Sequence, residues 1–212
     1  NALVGWLTGG LSLVAIFACM FFAAISGSSP ATTAAIGTIM VPDMLERGYS
    51  KGFSSAVVAA GGTVGVVIPP SIPMVLYAVI AGVSVGELFL GGMGPGILMG
   101  VSMMAMSYYV CKKKGYGGHQ RVTFREGIAA FLDAFWALLM PVIILGGIYS
   151  GIFTPTEAAV VAVVYGLLVG FFVYRELKLT EVPQIFYDSA VGSATIMLLI
   201  AAANFFGWFL VR

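Results

Sequence analysis

Residues 21–37 read FFAAISGSSPATTAAIG, a knot of glycine, serines and a proline set inside an apolar segment. A serine just before a proline is the pattern of a helix start. Ser28 or Ser29 can cap the segment that follows, with Pro30 at its first helical position, where the missing N–H costs nothing. At membrane depth such a start leaves amides and the positive end of a helix dipole needing an acceptor where water is scarce, and an anionic solute group fits. Ser28, Ser29, Pro30, Ala31 and Thr32 are therefore the candidate substrate contacts.

The opposite polarity is also on offer. The segment before the knot ends near residues 25–27, and a second interrupted segment, GGTVGVVIPPSIPMVLY, ends its first half near residues 65–68. Both ends present free carbonyl oxygens. With the hydroxyls of Ser26, Ser28, Thr63 and Ser71 they make hard, neutral oxygen donors that suit a small alkali cation such as sodium. Neutral donors also avoid a buried charge costing roughly 2.5–3.5 kcal/mol at mid-membrane. The candidate cation set is Ser26, Gly27, Ser28, Gly62, Thr63, Gly65, Val66 and Ser71. The competing reading is that the interruptions only open a water path or act as a hinge.

Other chemistry fails on inventory. The single histidine, His119, lies between glycine and glutamine in a basic loop, and no GxxxxGK[ST] phosphate loop is present, so neither a serine–histidine hydrolase nor an ATPase is indicated. Cys19 and Cys111 lack CxxC spacing and read as small buried hydrophobes. No basic stripe with interleaved aromatics suggests nucleic acid. Among the carboxylates, Glu157 follows Thr154 and Pro155 in a capping-box pattern, while Asp133 interrupts an apolar stretch; these two are the ones to substitute first.

The elements that must hold these residues are membrane helices. The 212 residues are 60% hydrophobic and 9% charged, with 28 glycines. About 20 apolar residues are needed to cross roughly 30 Å of hydrocarbon. The run at residues 31–44 is too short for that, so residues 3–44 are expected as a re-entrant hairpin with its tip at residues 26–30. Backbone without regular hydrogen bonds is tolerated at that depth only against protein or a water-filled cavity. Residues 53–67 and 72–85 are likewise short, and Pro69 and Pro70 must break the helix between them, giving one broken crossing. Further helices are expected at 88–110, 128–148, 158–174 and 190–211. Residues 126–141 fit either a plain transmembrane helix or an interfacial stretch turning inward at Pro141. Small-xxx-small spacings, such as Gly96 and Gly100, read as close helix packing.

Nine of the ten basic residues fall in alternate loops. The positive-inside bias then places loops 43–52, 111–126 and 175–188 in the cytoplasm. The chain begins and ends beside apolar segments, which suggests a piece of something longer.

FFAAISGSSPATTAAIG, GGTVGVVIPPSIPMVLY and GGIYSGIFTPTEAAVVAVVYGLL, in that order, closely resemble the large membrane subunit of tripartite ATP-independent periplasmic (TRAP) transporters, the DctM type. The resemblance implies an all-α, polytopic, elevator-type secondary transporter of the bacterial inner membrane, not an enzyme, that takes up carboxylate-bearing solutes such as C4-dicarboxylates or sialic acid on a sodium gradient. It implies two partners, a small four-helix membrane subunit and a periplasmic substrate-binding protein. By analogy, residues 1–52 are the hairpin and 53–85 the broken helix of a transport domain, 86–188 supply scaffold and arm helices, and 189–212 begin the second half. The second inverted repeat expected of the family is not in this sequence. Three rivals are a sodium/anion symporter working without a binding protein, a passive anion channel, and a non-catalytic scaffold subunit that only docks a partner.

Overall fold

The computed structural model describes residues 8–116 and 124–211, with side chains outside 124–131 and 210–211. His119 and Arg121 of the basic loop, and the side chain of Arg125, lie outside the described residues. Every regular element among them is helical. Residues 1–162 form one compact unit and 163–212 a second.

In the first unit, α1 (Gly10–Ser26) and α2 (Ser29–Glu46) are the two arms of the hairpin. The 17 residues of α1 span about 25 Å at ~1.5 Å per residue, short of a crossing. The helix stops at Gly27, which adopts the left-handed backbone (φ 60°) and donates its N–H to the Ala23 carbonyl, a closure that suits a residue without Cβ. Ser28 then caps α2, accepting from the Ala31 N–H at 3.5 Å. Pro30 sits at the second helical position rather than the first, because Ser28 and not Ser29 is the cap. Its missing N–H still falls among the four that have no intrahelical partner.

The broken crossing follows. Helix α3 (Lys51–Thr63) tightens into a 3₁₀ turn (Val64–Val66), residues 67–71 run irregularly through the proline pair, and α4 (Ile72–Ala81) resumes. Helix α5 (Val85–Lys114) is long enough to cross; Ser84 caps it and Gly115 ends it with φ 70°. Helix α6 (Phe124–Tyr149) runs unbroken past Pro141, and its apolar part, Leu132–Tyr149, is long enough to cross, which favours the plain transmembrane reading. At α7 (Pro155–Leu168) the anticipated capping box forms: Glu157 Oε2 accepts from the Thr154 N–H at 2.8 Å, and the Glu157 N–H donates to Thr154 Oγ1 at 3.3 Å.

The core of this unit gathers Ala15, Ile16 and Cys19 of α1, Ile36, Met40 and Met44 of α2, Val57 and Val58 of α3, and Cys111 of α5. A buried polar chain ties α1 to α5: Ser107 Oγ donates to Ser12 Oγ at 2.7 Å, Ser12 Oγ donates to the Gly9 carbonyl at 2.7 Å, and Cys111 Sγ lies 3.4 Å from Ser12 Oγ. At the same end Tyr116 closes the hairpin base. Its carbonyl accepts from the Gly9 N–H at 3.0 Å, its hydroxyl accepts from the Ser50 N–H at 3.2 Å, and its ring stacks on Tyr49 at 4.7 Å. The bonds from Ser50 pull the Tyr116 phenol below its ordinary range, whereas burial pushes Tyr49 up to about 12.

In the second unit a π-helical turn (Val169–Val173) ends on the Tyr174 N–H bonded to the Val169 carbonyl at 2.9 Å. Helix α8 (Val182–Val211) starts eight residues before the expected 190. Its added turns mix apolar residues with Gln184, Asp188 and Ser189, and Gln184 Nε2 donates to Asp188 Oδ1 at 2.9 Å. Among the described residues four helices, α5, α6, α7 with its π turn, and α8, are long and apolar enough to cross a membrane.

Candidate functional site

The two chain interruptions meet. The Ile72 N–H, at the start of α4, donates to the Gly27 carbonyl at the end of α1, 3.1 Å apart. A Cβ on Gly27 would lie 2.6 Å from the Pro70 carbonyl oxygen, and one on Gly65 would lie 3.0 Å from the Ser28 carbonyl oxygen and the Ser29 nitrogen. One turn back, Gly62 faces Thr33 so closely that its own Cβ would overlap the threonine hydroxyl. Backbone therefore touches backbone along this contact, and glycine is what permits it.

Two helix ends of each polarity converge here. The carbonyl ends are those of α1 at residues 24–27 and of the 3₁₀ turn at 64–67; the amide ends are α2 behind Ser28 and α4 behind Ser71. Carbonyl ends favour a cation and amide ends an anion, each within about one helical turn. A shallow, mainly apolar depression of about 220 Å³ opens beside the contact, lined by Ile25, Ser26, Gly27, Pro70, Ser71 and Ile72.

Within the cation set, Gly27, Gly62, Gly65 and Ser71 are buried, Ser26, Ser28 and Val66 are half-buried, and Thr63 is exposed. Ser71 Oγ donates to the Val66 carbonyl at 2.8 Å, which folds the broken segment onto itself. Thr63 Oγ1 donates to the Ala60 carbonyl at 2.6 Å, along its own helix. Ser26 Oγ lies 3.0 Å from Thr32 Oγ1, which in turn donates to the Ser28 carbonyl at 2.8 Å.

Of the substrate set, Pro30 and Ala31 are exposed at the tip and Ser28 and Ser29 half-buried. Thr32 is fully buried beneath them, so its hydroxyl orients the Ser26 hydroxyl and Ser28 carbonyl rather than facing open space. Among the described residues, no three His, Cys, Asp or Glu side chains stand together as a metal-binding group. Oxygen donors here come from main chain and hydroxyls.

Reading the sequence missed the helix behind the site. Gly92 of α5 lies where a Cβ would be 2.8 Å from the Val67 carbonyl oxygen, and Gly96 where it would be 2.6 Å from Ile68 Cγ1 and 3.3 Å from the Ile68 nitrogen. These two glycines bear directly on the irregular backbone of the break. The signal was the GxxxG spacing at Gly96 and Gly100; it pointed to close packing but not to the partner.

The sequence model described as "Tripartite ATP-independent periplasmic transporter, DctM component" matches residues 1–212. The chain is 51% identical over 208 residues to the isethionate TRAP transporter permease protein DctMQ of Oleidesulfovibrio alaskensis, covering 98% of this chain and 33% of that protein. It is 50% identical over 204 residues to the C4-dicarboxylate TRAP transporter large permease protein DctM of Pseudomonas aeruginosa, covering 96% and 47%. It is 39% identical over 212 residues to the sialic acid TRAP transporter large permease protein SiaM of Vibrio cholerae, covering 100% and 50%. The chain thus spans between a third and a half of the length of these relatives. With the match running from end to end, the chain belongs to the DctM component family of tripartite ATP-independent periplasmic transporters.

Proposed function

We propose that this chain is the first half of a large permease subunit that takes up a carboxylate-bearing solute across the bacterial inner membrane, driven by sodium. The observation that carries the reading is the Ile72–Gly27 bond, which sets two carbonyl ends and two amide ends side by side. Carbonyls of residues 26–28 and 62–66, with the hydroxyls of Ser26 and Ser71, would hold the cation. The amide end at Ser28–Thr32 would meet the carboxylate. Relatives named for C4-dicarboxylate and sialic acid support that solute class. The partners proposed are a small four-helix membrane subunit and a periplasmic substrate-binding protein, with the basic loops facing the cytoplasm.

The test is uptake by the full-length protein with its partners in proteoliposomes. Dicarboxylate or sialate should accumulate under an inward sodium gradient and stop accumulating when potassium replaces sodium. Accumulation indifferent to sodium would overturn the coupling.

In an elevator motion some helices travel with the site and others stay. Helix α5 was expected with the static scaffold, but its polar tie to α1 through Ser12, Ser107 and Cys111 favours its travelling with the hairpin. Ser12→Cys, in a Cys19→Ala background, places a second thiol beside Cys111. Oxidation to the α1–α5 disulfide should leave most uptake intact. Uptake lost on oxidation and regained on reduction would show that α1 and α5 must part.

A further inference from the structure

A second, separate feature lies further along α5, from the helix break toward the Lys112–Lys114 end. Between α1, α3 and α5 runs a shallow groove of about 190 Å³, walled by Phe53, Val57 and Ala60 of α3 and Met103, Ser107 and Val110 of α5. Apart from the Ser107 hydroxyl, which is occupied by Ser12, the lining is apolar. On α5 these residues recur every three or four positions and so lie on one helix face. Continued by one turn, that face reaches Lys114.

At that end the groove meets positive charge. Lys114 Nζ stands 5.8 Å from the centroid of the Phe53 ring, so one aromatic residue is both a wall of the groove and the seat of an ammonium. The Tyr116 hydroxyl, bonded to the Ser50 N–H, brings the end of α5 against the start of α3. It thereby joins Lys112, Lys113 and Lys114 to Lys51 in one exposed basic edge. Arg47 nearby has Asp43 as its ion partner at 2.9 Å. Among the described residues, no carboxylate pairs with any of the four lysines.

From Met103 to Lys114 the helix rises about 16 Å at ~1.5 Å per residue. That is roughly half of the ~30 Å hydrocarbon thickness, the depth of a single leaflet. An apolar slot one leaflet deep with unpaired ammonium groups at its mouth matches one chemistry: a lipid tail below an anionic headgroup.

We propose that this groove binds an anionic phospholipid, with one acyl chain along α3 and α5 and its phosphate at Lys51 and Lys112–114. The occupant is a bilayer lipid rather than a free anion, since the slot has no use for a soluble phosphate. It is distinct from the solute site, which uses the last residues of α3 and, about two turns back along the same face of α5, Gly92 and Gly96.

The test uses the full-length protein purified with its partners, stripped of lipid and titrated with micelles containing phosphatidylglycerol, with thermal unfolding as the readout. Phosphatidylglycerol should raise the unfolding midpoint, whereas phosphatidylcholine and inorganic phosphate should not. The triple substitution K112Q/K113Q/K114Q lies on an exposed helix end and should weaken the phosphatidylglycerol response on the order of 100-fold. Ala60→Trp, which fills the slot without changing charge, should weaken it too, and K178Q, in a different loop, should not. An unchanged response in the triple variant, or equal protection by inorganic phosphate, would overturn the proposal. So would cross-linking of a partner chain to Ala60→Cys, which would make the groove a seat for protein.

Discussion

Gly27→Ala should abolish uptake, while Gly48→Ala, with the same backbone fault, should leave it near the unsubstituted level. Both glycines hold positive φ, 60° and 81°, and an alanine in that conformation costs roughly 1–2 kcal/mol. What differs is the surroundings. A Cβ on Gly48 meets nothing within 4 Å, whereas one on Gly27 lies 2.6 Å from the Pro70 carbonyl oxygen and 3.3 Å from the Ile72 nitrogen. That contact is backbone against backbone and cannot be relieved by turning a side chain. The hairpin tip must draw back, and the bond between Ile72 and Gly27 opens. If a misplacement of about 1 Å in a binding site costs on the order of 10²-fold in rate, uptake in proteoliposomes should fall by at least that much. Equal uptake by the two variants would mean that the meeting of the interruptions is incidental to transport.

The second large effect is expected behind the site. Gly92→Ala with Gly96→Ala should also stop uptake, because the added methyl groups press on the Val67 carbonyl and on Ile68, in the irregular stretch between α3 and α4. Gly91→Ala and Gly94→Ala sit on the same helix, with nothing within 4 Å of their Cβ positions. They change helix propensity equally and should be silent. Gly100→Ala lies between these cases, since the atoms nearest its Cβ belong to the flexible side chain of Met20. Uptake lost in all five positions would point to general destabilisation of α5, and uptake kept in the double variant would remove the break from the transport mechanism. Inserted protein, quantified by immunoblot of membranes, separates loss of function from loss of protein.

Much of this arrangement is legible in the order of residues alone. Pro69 and Pro70 announce a break because neither can donate to a helix, and the break falls there. The serines before Pro30 announce a helix start, and Ser28 caps it. These are local signals, carried by residues whose effect does not depend on distant neighbours. The contacts that join the pieces are of the other kind. That Gly27 meets Ile72, Gly62 meets Thr33 and Gly92 meets Val67 depends on how separate helices pack, and a glycine says only that something comes close. Thr32 illustrates the limit. Type and position set it among the expected solute contacts, but neither says that its side chain is fully buried and bonded to the Ser28 carbonyl. Helix α8 shows the same limit at a boundary: apolar character located the crossing but not the two mixed turns before it.

The bonds made by Tyr116 bear on how the protein is synthesised. Tyr116 lies 66 residues beyond Ser50, and its carbonyl also reaches back to Gly9. At roughly 5–20 residues per second, a ribosome takes about 3–13 s to cover that interval. For that time the hairpin stands without the bonds from Tyr116 across its open end, which can form only once the end of α5 has been made.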